Sequence, residues 1–258
     1  MKIGLSTASL YPMHTEKALL EAARLSVKNV EIFLSSVSEL DGEIFSYMQN
    51  VVREYDINVI SVHPFSSPME TLFLFSTYDR RVAEIMELYK RYFQAMNKIN
   101  AKIFVVHGVL SSGKCPDERY LERLLGLIEM GREFGITVAQ ENVSYCKSGD
   151  LEFLQMLLRE LGDKIHFVLD IKQARRAGRN PSDFVETLGD KIVHLHLSDS
   201  DEKTDCLLIG EGNFDFRSFF ATLKKANYKG DAVVELYRDN YHEYSELANC
   251  VENLEKML

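Results

Sequence analysis

The sequence predicts a (β/α)8 barrel built as a single domain over residues 1–258. Three observations carry that expectation. Strand-like runs alternate with amphipathic helical runs about eight times, which implies parallel pairing. The chain length of 258 residues is usual for one such barrel. No Gly-rich phosphate turn follows an early strand, as the rival open doubly wound sheet would require.

The elements justify themselves in order. KIGLST (2–7) reads as the first strand, and EKALLEAARLSV (16–27) repeats its apolar residues at the three- and four-residue helical spacing. NVEIFLS (29–35) and INVISVH (57–63) are the next strands, rich in β-branched and aromatic residues. A long amphipathic run (78–99) leads to KIFVVHG (102–108), and another (117–134) leads through Gly135 to ITVAQEN (136–142). IHFVLDI (165–171) and IVHLHLS (192–198) are the sixth and seventh strands. The amphipathic run 215–228 then reaches Gly230 and the last strand, DAVVELY (231–237). EYSELANCVENLEKML (243–258) is amphipathic and is expected to pack on the barrel or on a second copy in a homo-oligomer.

Composition narrows the function. Hydrophobic residues make up 46%, enough for a large core, and the formal charge of −9 argues against a purely electrostatic nucleic-acid binder. No run approaches the roughly 18–20 apolar residues of a membrane span. Four cysteines are scattered without a Cys-x-x-Cys pair. The N-terminal residues show no secretory pattern, so a cytoplasmic protein with reduced thiols is expected.

The chemistry lies at the strand ends. Side chains two apart share a face of a strand. One face of each run is aliphatic or aromatic, as expected beneath helices. The other ends in His63, His107, Glu141, Asp170, His196 or Glu235. In a barrel that face points inward, and its C-terminal end is the mouth where catalytic groups sit. Val59, Ser61 and His63 are read as one inward set, with Val193, Leu195 and Leu197 facing the helices. Three imidazoles and three carboxylates crowded together call for a shared cation. The mixed nitrogen and oxygen set suits Zn²⁺ or Mn²⁺, one or two per chain. His194 and His166 lie deeper and are expected to be structural or to orient a ligand. Glu31 is balanced between pairing with a neighbouring strand and touching substrate. Asp199 is expected to orient the loop after His196. Lys172, Arg175, Arg176 and Arg179 form a local basic cluster that could grip a phosphate. Arg238 is a further candidate anion contact.

The stretches LDIKQARRAGRNPSDFVETLGDKIVHLHLSDSD and LIGEGNFDFRSFFATLKKANYKGDAVVELY, with SVHPF, VVHG and AQENV, resemble the xylose isomerase-like barrel superfamily. The similarity covers nearly the whole chain. It implies either a metal-dependent isomerase or epimerase of a sugar or sugar phosphate, or an abasic-DNA endonuclease of the endonuclease IV type. By that resemblance Glu141, Asp170, His196 and Glu235 match a four-ligand metal site, and Glu141 and Glu235 match an acid–base pair working through an enediolate. His63 and His107 match two further ligands of the nuclease branch, which share Glu141 with a second metal. The chain departs from the pattern at Gln173, where both branches carry histidine, and at Cys206, where the nuclease branch does. Gln173 weakens both readings, whereas the incomplete third metal site and the acidic balance count against the nuclease and make nucleic acid the less expected partner. Gln173 and Lys172 are the expected substrate contacts, with Arg238.

Overall fold

A computed structural model describes residues 1–258, the side chain of Pro68 excepted. The chain alternates strand and helix throughout. The elements are β1 (Ile3–Ser6), α1 (Thr15–Arg24), β2 (Asn29–Leu34), α2 (Gly42–Glu54), β3 (Asn58–Pro64) and α3 (Asp79–Lys98). Next come β4 (Ile103–Val106), α4 (Asp117–Glu133), β5 (Thr137–Glu141), α5 (Leu151–Leu161), β6 (His166–Asp170) and α6 (Ile171–Arg176). The last are α7 (Pro181–Leu188), β7 (Ile192–Leu197), α8 (Phe216–Lys225), β8 (Asp231–Val234) and α9 (Tyr244–Glu255). Every strand pairs in parallel with its sequence neighbours, and β1 closes on β8 with Ile3 opposite Ala232. The result is a single-domain (β/α)8 barrel. Among the described residues, no helix is long and apolar enough to cross a membrane.

Two apolar layers hold the barrel. The larger lies between sheet and helices and includes Leu5, Ile32, Phe104, Phe167, Leu195 and Val234. The smaller fills the barrel interior with Val105, Ala139 and Val168, flanked by Ile103 and Val193. Burying such side chains contributes ~1.5–3 kcal/mol each, so the two layers dominate the stabilising side of folding.

Two β-bulges correct the expected phase. Val30 pairs with Val59 but Glu31 with Ser61, so Ile60 is an extra residue in β3. Phe167 pairs with Ile192 but Val168 with His194, so Val193 is extra in β7. A bulge advances one strand without its partner and breaks the two-residue period. Val59 accordingly joins the helix-facing layer, and Val193 packs toward the interior. Both are opposite to the simple alternation. The bulges lie below the mouth, so the phase of His63 and His196 is unaffected.

Backbone caps set the mouth. Asp170 ends β6 and is also the N-cap of α6, its Oδ1 accepting the Gln173 amide at 3.0 Å. Asp199 orients the loop after β7 as expected, accepting the amides of Ser200 (2.7 Å), Gly210 (2.8 Å) and Phe214 (3.1 Å).

Candidate active site

The strand-end residues converge. His63, Glu141, Asp170 and His196 end or nearly end β3, β5, β6 and β7, while His107 and Glu235 follow β4 and β8 directly. His107 Nε2 lies 2.8 Å from both His63 Nε2 and Glu141 Oε2, and His63 Nε2 lies 3.6 Å from Glu141 Oε2. On the other side of Glu141, its Oε1 sits 3.2 Å from His196 Nδ1, which is 3.4 Å from Glu235 Oε2. Glu141 thus belongs to two groups with metal-ligand spacing, one with His63 and His107 and one with Asp170 and His196.

Below the mouth, Glu31 organises a second tier. Its Oε2 accepts from Ser61 Oγ at 2.7 Å and faces His196 Nε2 at 3.1 Å and His194 Nε2 at 3.3 Å. Its Oε1 accepts from Ser6 Oγ at 3.0 Å. Glu31 therefore pairs with neighbouring strands and is fully buried away from the cavity. His194 is held between Glu31 and the Asp231 carbonyl, an orienting role within the barrel. His166 sits at the opposite end of β6, on the floor of the barrel.

Electrostatics follow from crowding four carboxylates into one buried space. Burial alone would raise the Glu141 carboxyl, but His107, His196 and His63 outweigh it and hold the group well below its usual range. Glu235 behaves likewise: burial raises it, and Lys172 and His196 together bring it below. Burial opposes charge on His196, yet Glu31, Glu235 and Glu141 raise it well above the ordinary imidazole value. Asp170 is raised, chiefly by burial, with Lys172 opposing. The pattern is a pocket that favours positive charge, whether proton, ammonium or metal ion.

The residues fit a divalent ion. Two imidazole nitrogens facing each other at 2.8 Å are poor mutual partners unless a cation or a proton lies between them. Glu141 Oε2 is buried without an aligned hydrogen bond, which is costly for a carboxylate and natural for a ligand atom, while Asp170 Oδ2, also without one, faces the Lys172 ammonium at 3.2 Å.

The expected substrate contacts divide. Above the ligands opens a cavity of ≈ 450 Å³ that Gln173 and Lys172 both line. Gln173 Oε1 is committed to the Ser144 amide and hydroxyl, at 3.1 and 2.7 Å. Lys172 turns into the site and pairs with Asp170 and Glu235, both at 3.2 Å. Arg238 does not line the cavity. Its guanidinium stacks over Tyr241 and Tyr244 and donates to the Tyr241 carbonyl, because the chain turns outward after Tyr237. The remaining basic cluster is spent on partners: Arg175 on the Asp201 carbonyl, Arg176 on Asp205 and Arg179 on Glu152. Sequence reasoning missed the cavity's aromatic wall of Phe33, Phe65, Tyr145 and Tyr237. Tyr237 stands two residues after Glu235, in the same alternation, so that signal was present.

Comparison with known proteins bears on the fold and the family. The family model described as xylose isomerase-like TIM barrel matches residues 19–257. Fructoselysine 3-epimerase of Shigella flexneri is 22% identical over 252 residues, spanning 92% of this chain and 90% of that protein. Two solved structures share the fold. D-allulose 3-epimerase from Methylomonas sp. in complex with D-allulose has a TM-score of 0.81 at 19% identity, covering 99% of this chain and 96% of that one. The IolI protein with a bound zinc atom has a TM-score of 0.78 at 16% identity, covering 100% and 96%. With its barrel closed and the family model matched over nearly its full length, the chain belongs to the xylose isomerase-like TIM barrel family.

Proposed function

We propose that the protein is a metal-dependent isomerase or epimerase of a sugar or sugar phosphate, working in the cytoplasm. The observation that carries this reading is the pair Glu141 and Glu235. Both are held ionised by neighbouring cations, both line the cavity, and they stand on either side of His196 Nδ1. D-allulose in complex with an epimerase of the same fold and a zinc atom bound to another protein of that fold support it.

Glu141 removes the proton from the carbon next to the substrate carbonyl; a proton taken up from solvent water and relayed by Glu235 reaches the opposite face, which inverts that centre, and Glu141 then releases its proton to solvent. The lowered pKa of Glu141 keeps it a base at neutral pH. His63, His107, Glu141, Asp170, His196 and Glu235 are the residues available to hold a divalent ion, zinc or manganese by donor type. Bound there, that ion would supply positive charge to polarise the carbonyl and its neighbouring hydroxyl. The aromatic wall packs on the apolar face of the sugar and excludes water, and Gln173 presents its amide N–H groups to a hydroxyl, its oxygen being fixed by Ser144.

The test is solvent exchange. Metal-loaded protein in deuterated water is offered a panel of free and phosphorylated ketoses. Deuterium should enter at the carbon beside the carbonyl, and a chelator or Glu235→Gln should reduce the rate at least 100-fold. No exchange with any member overturns the reading. Cleavage of an abasic duplex instead would assign the chain to phosphoester hydrolysis, the alternative favoured by the His63–His107–Glu141 group.

A further inference from the structure

Lys172 is out of place for a sugar-binding lysine. It lies in the first turn of α6, two residues after Asp170, and is only 3% exposed. Its ammonium bridges Asp170 Oδ2 and Glu235 Oε1 at 3.2 Å each and lies 4.9 Å from the Tyr237 ring centre. A buried ammonium is tolerated only where anions surround it. Here those anions are two of the carboxylates expected to ligate metal.

The alternatives for Asp170 are limited. Its Oδ1 is committed to the Gln173 amide as the α6 cap, which leaves Oδ2, the oxygen facing Lys172. Glu235 Oε1 is likewise taken by Lys172. A divalent ion bound at about 2.0–2.2 Å from Asp170 Oδ2 would share that oxygen with the ammonium and be repelled by it. Across the mouth, among the described residues, no lysine or arginine pairs with Glu141, whose charged neighbours are imidazoles. His63 Nε2, His107 Nε2 and Glu141 Oε2 gather within 3.6 Å of one another, and Glu141 Oε2 has no aligned hydrogen bond.

We propose that the Lys172 ammonium is the resident cation of the Asp170–Glu235 half of the mouth, so that a single divalent ion is confined to the His63–His107–Glu141 half. The inference rests on the metal-dependent reading above and deepens it: this chain runs its site with one metal and one fixed ammonium. The lysine gives Glu235 a permanent counter-charge, and the metal is left three protein ligands and open positions toward the cavity.

The experiment is zinc loading of the full chain, read by elemental analysis and X-ray absorption. The expected result is one zinc per chain with two imidazoles in its first coordination sphere. His107→Ala should lose it, and Asp170→Asn, which keeps the helix cap, should retain it. Lys172→Met, which removes the charge at similar length, should raise the content to two. Wild-type protein holding two zinc ions, none, or one with a single imidazole overturns the proposal, as does Lys172→Met remaining at one. Should Lys172→Met fail to fold, the imidazole count in the wild type still decides. Deuterium exchange by a one-imidazole protein would sink this inference alone. A two-imidazole ion without exchange would sink the isomerase reading and leave this inference standing.

Discussion

At the scale of single residues, the backbone under His107 is the most constrained point of the site. Gly108 has φ +90°, and a Cβ there would meet Tyr120 Oη at 2.1 Å. Tyr120 is fully buried and donates to Gln140 Oε1 at 2.6 Å, so it cannot yield. Gly108→Ala should therefore cost on the order of 2–4 kcal/mol in urea unfolding, from strain and overpacking together. The amide of Gly108 is also held by Glu70, a fully buried carboxyl. Burial pushes Glu70 well above the usual carboxylate range, against the Gly108 amide that favours the ionised form. The folded state thus holds the Glu70 proton to higher pH than the unfolded state does. Its contribution is fully present below the unfolded carboxyl pKa and is lost as pH rises through the raised folded value. Glu70→Gln keeps an acceptor for Gly108 and removes that loss. It should equal wild type in stability near pH 4 and exceed it by on the order of 1–3 kcal/mol at neutral pH. A constant difference across that range would mean that Glu70 is not a buried acid. Neither Gly108 nor Glu70 was readable as special in the sequence, because left-handed backbone and burial of a loop carboxyl arise only from tertiary packing.

At the scale of elements, the sequence was most informative where local period and strand end coincide. Seven strands fall within the runs read from β-branched content and β3 passes its run by one residue, Pro64, and the six terminal ligand-type residues all reach the mouth. What stayed hidden was whatever depends on a partner strand. The bulges at Ile60 and Val193 turn Val59 and Val193 to the face opposite the one alternation gives. Arg238 leaves the site because the chain turns after Tyr237, which no periodicity encodes. One element-level feature is legible twice. The segment Leu-Gly-Asp-Lys-Ile joins α5 to β6 (161–165) and α7 to β7 (188–192). In both copies the glycine ends the helix with positive φ, +56° at Gly162 and +59° at Gly189, and a single 3-10 turn follows. A Cβ meets nothing at either position, so the cost of Gly→Ala is conformational alone. Each should lose roughly 1 kcal/mol. The double variant should lose the sum, since the two turns serve different helix–strand pairs. A loss several times larger would show that these turns set strand register as well as ending helices.

At the scale of the whole molecule, the barrel gathers into one mouth charges that its sequence holds far apart. Glu31, Glu141, Asp170 and Glu235 come from β2, the end of β5, the end of β6 and the residue after β8, all buried or nearly so. Folding forces these four acids together, and Lys172 with the imidazoles compensates them only in part. A divalent ion that binds the folded mouth and not the dispersed chain must then stabilise the entire barrel. At 100 times its dissociation constant the gain is about 2.7 kcal/mol. For a chain of this size roughly 2–4 °C accompanies each kcal/mol, so the melting temperature should rise by roughly 5–10 °C on zinc addition. A chelator should reverse the rise. Glu141→Gln should abolish it, because Glu141 belongs to both ligand-spaced groups at the mouth, while the third group, Glu31, His194 and His196, lies fully buried below it. If melting is the same with zinc and with chelator while the wild type remains folded, the histidines and carboxylates form a closed ion-pair network. The mouth would then be a structural plug, and the charge needed to polarise a sugar carbonyl would have to come from Lys172 alone.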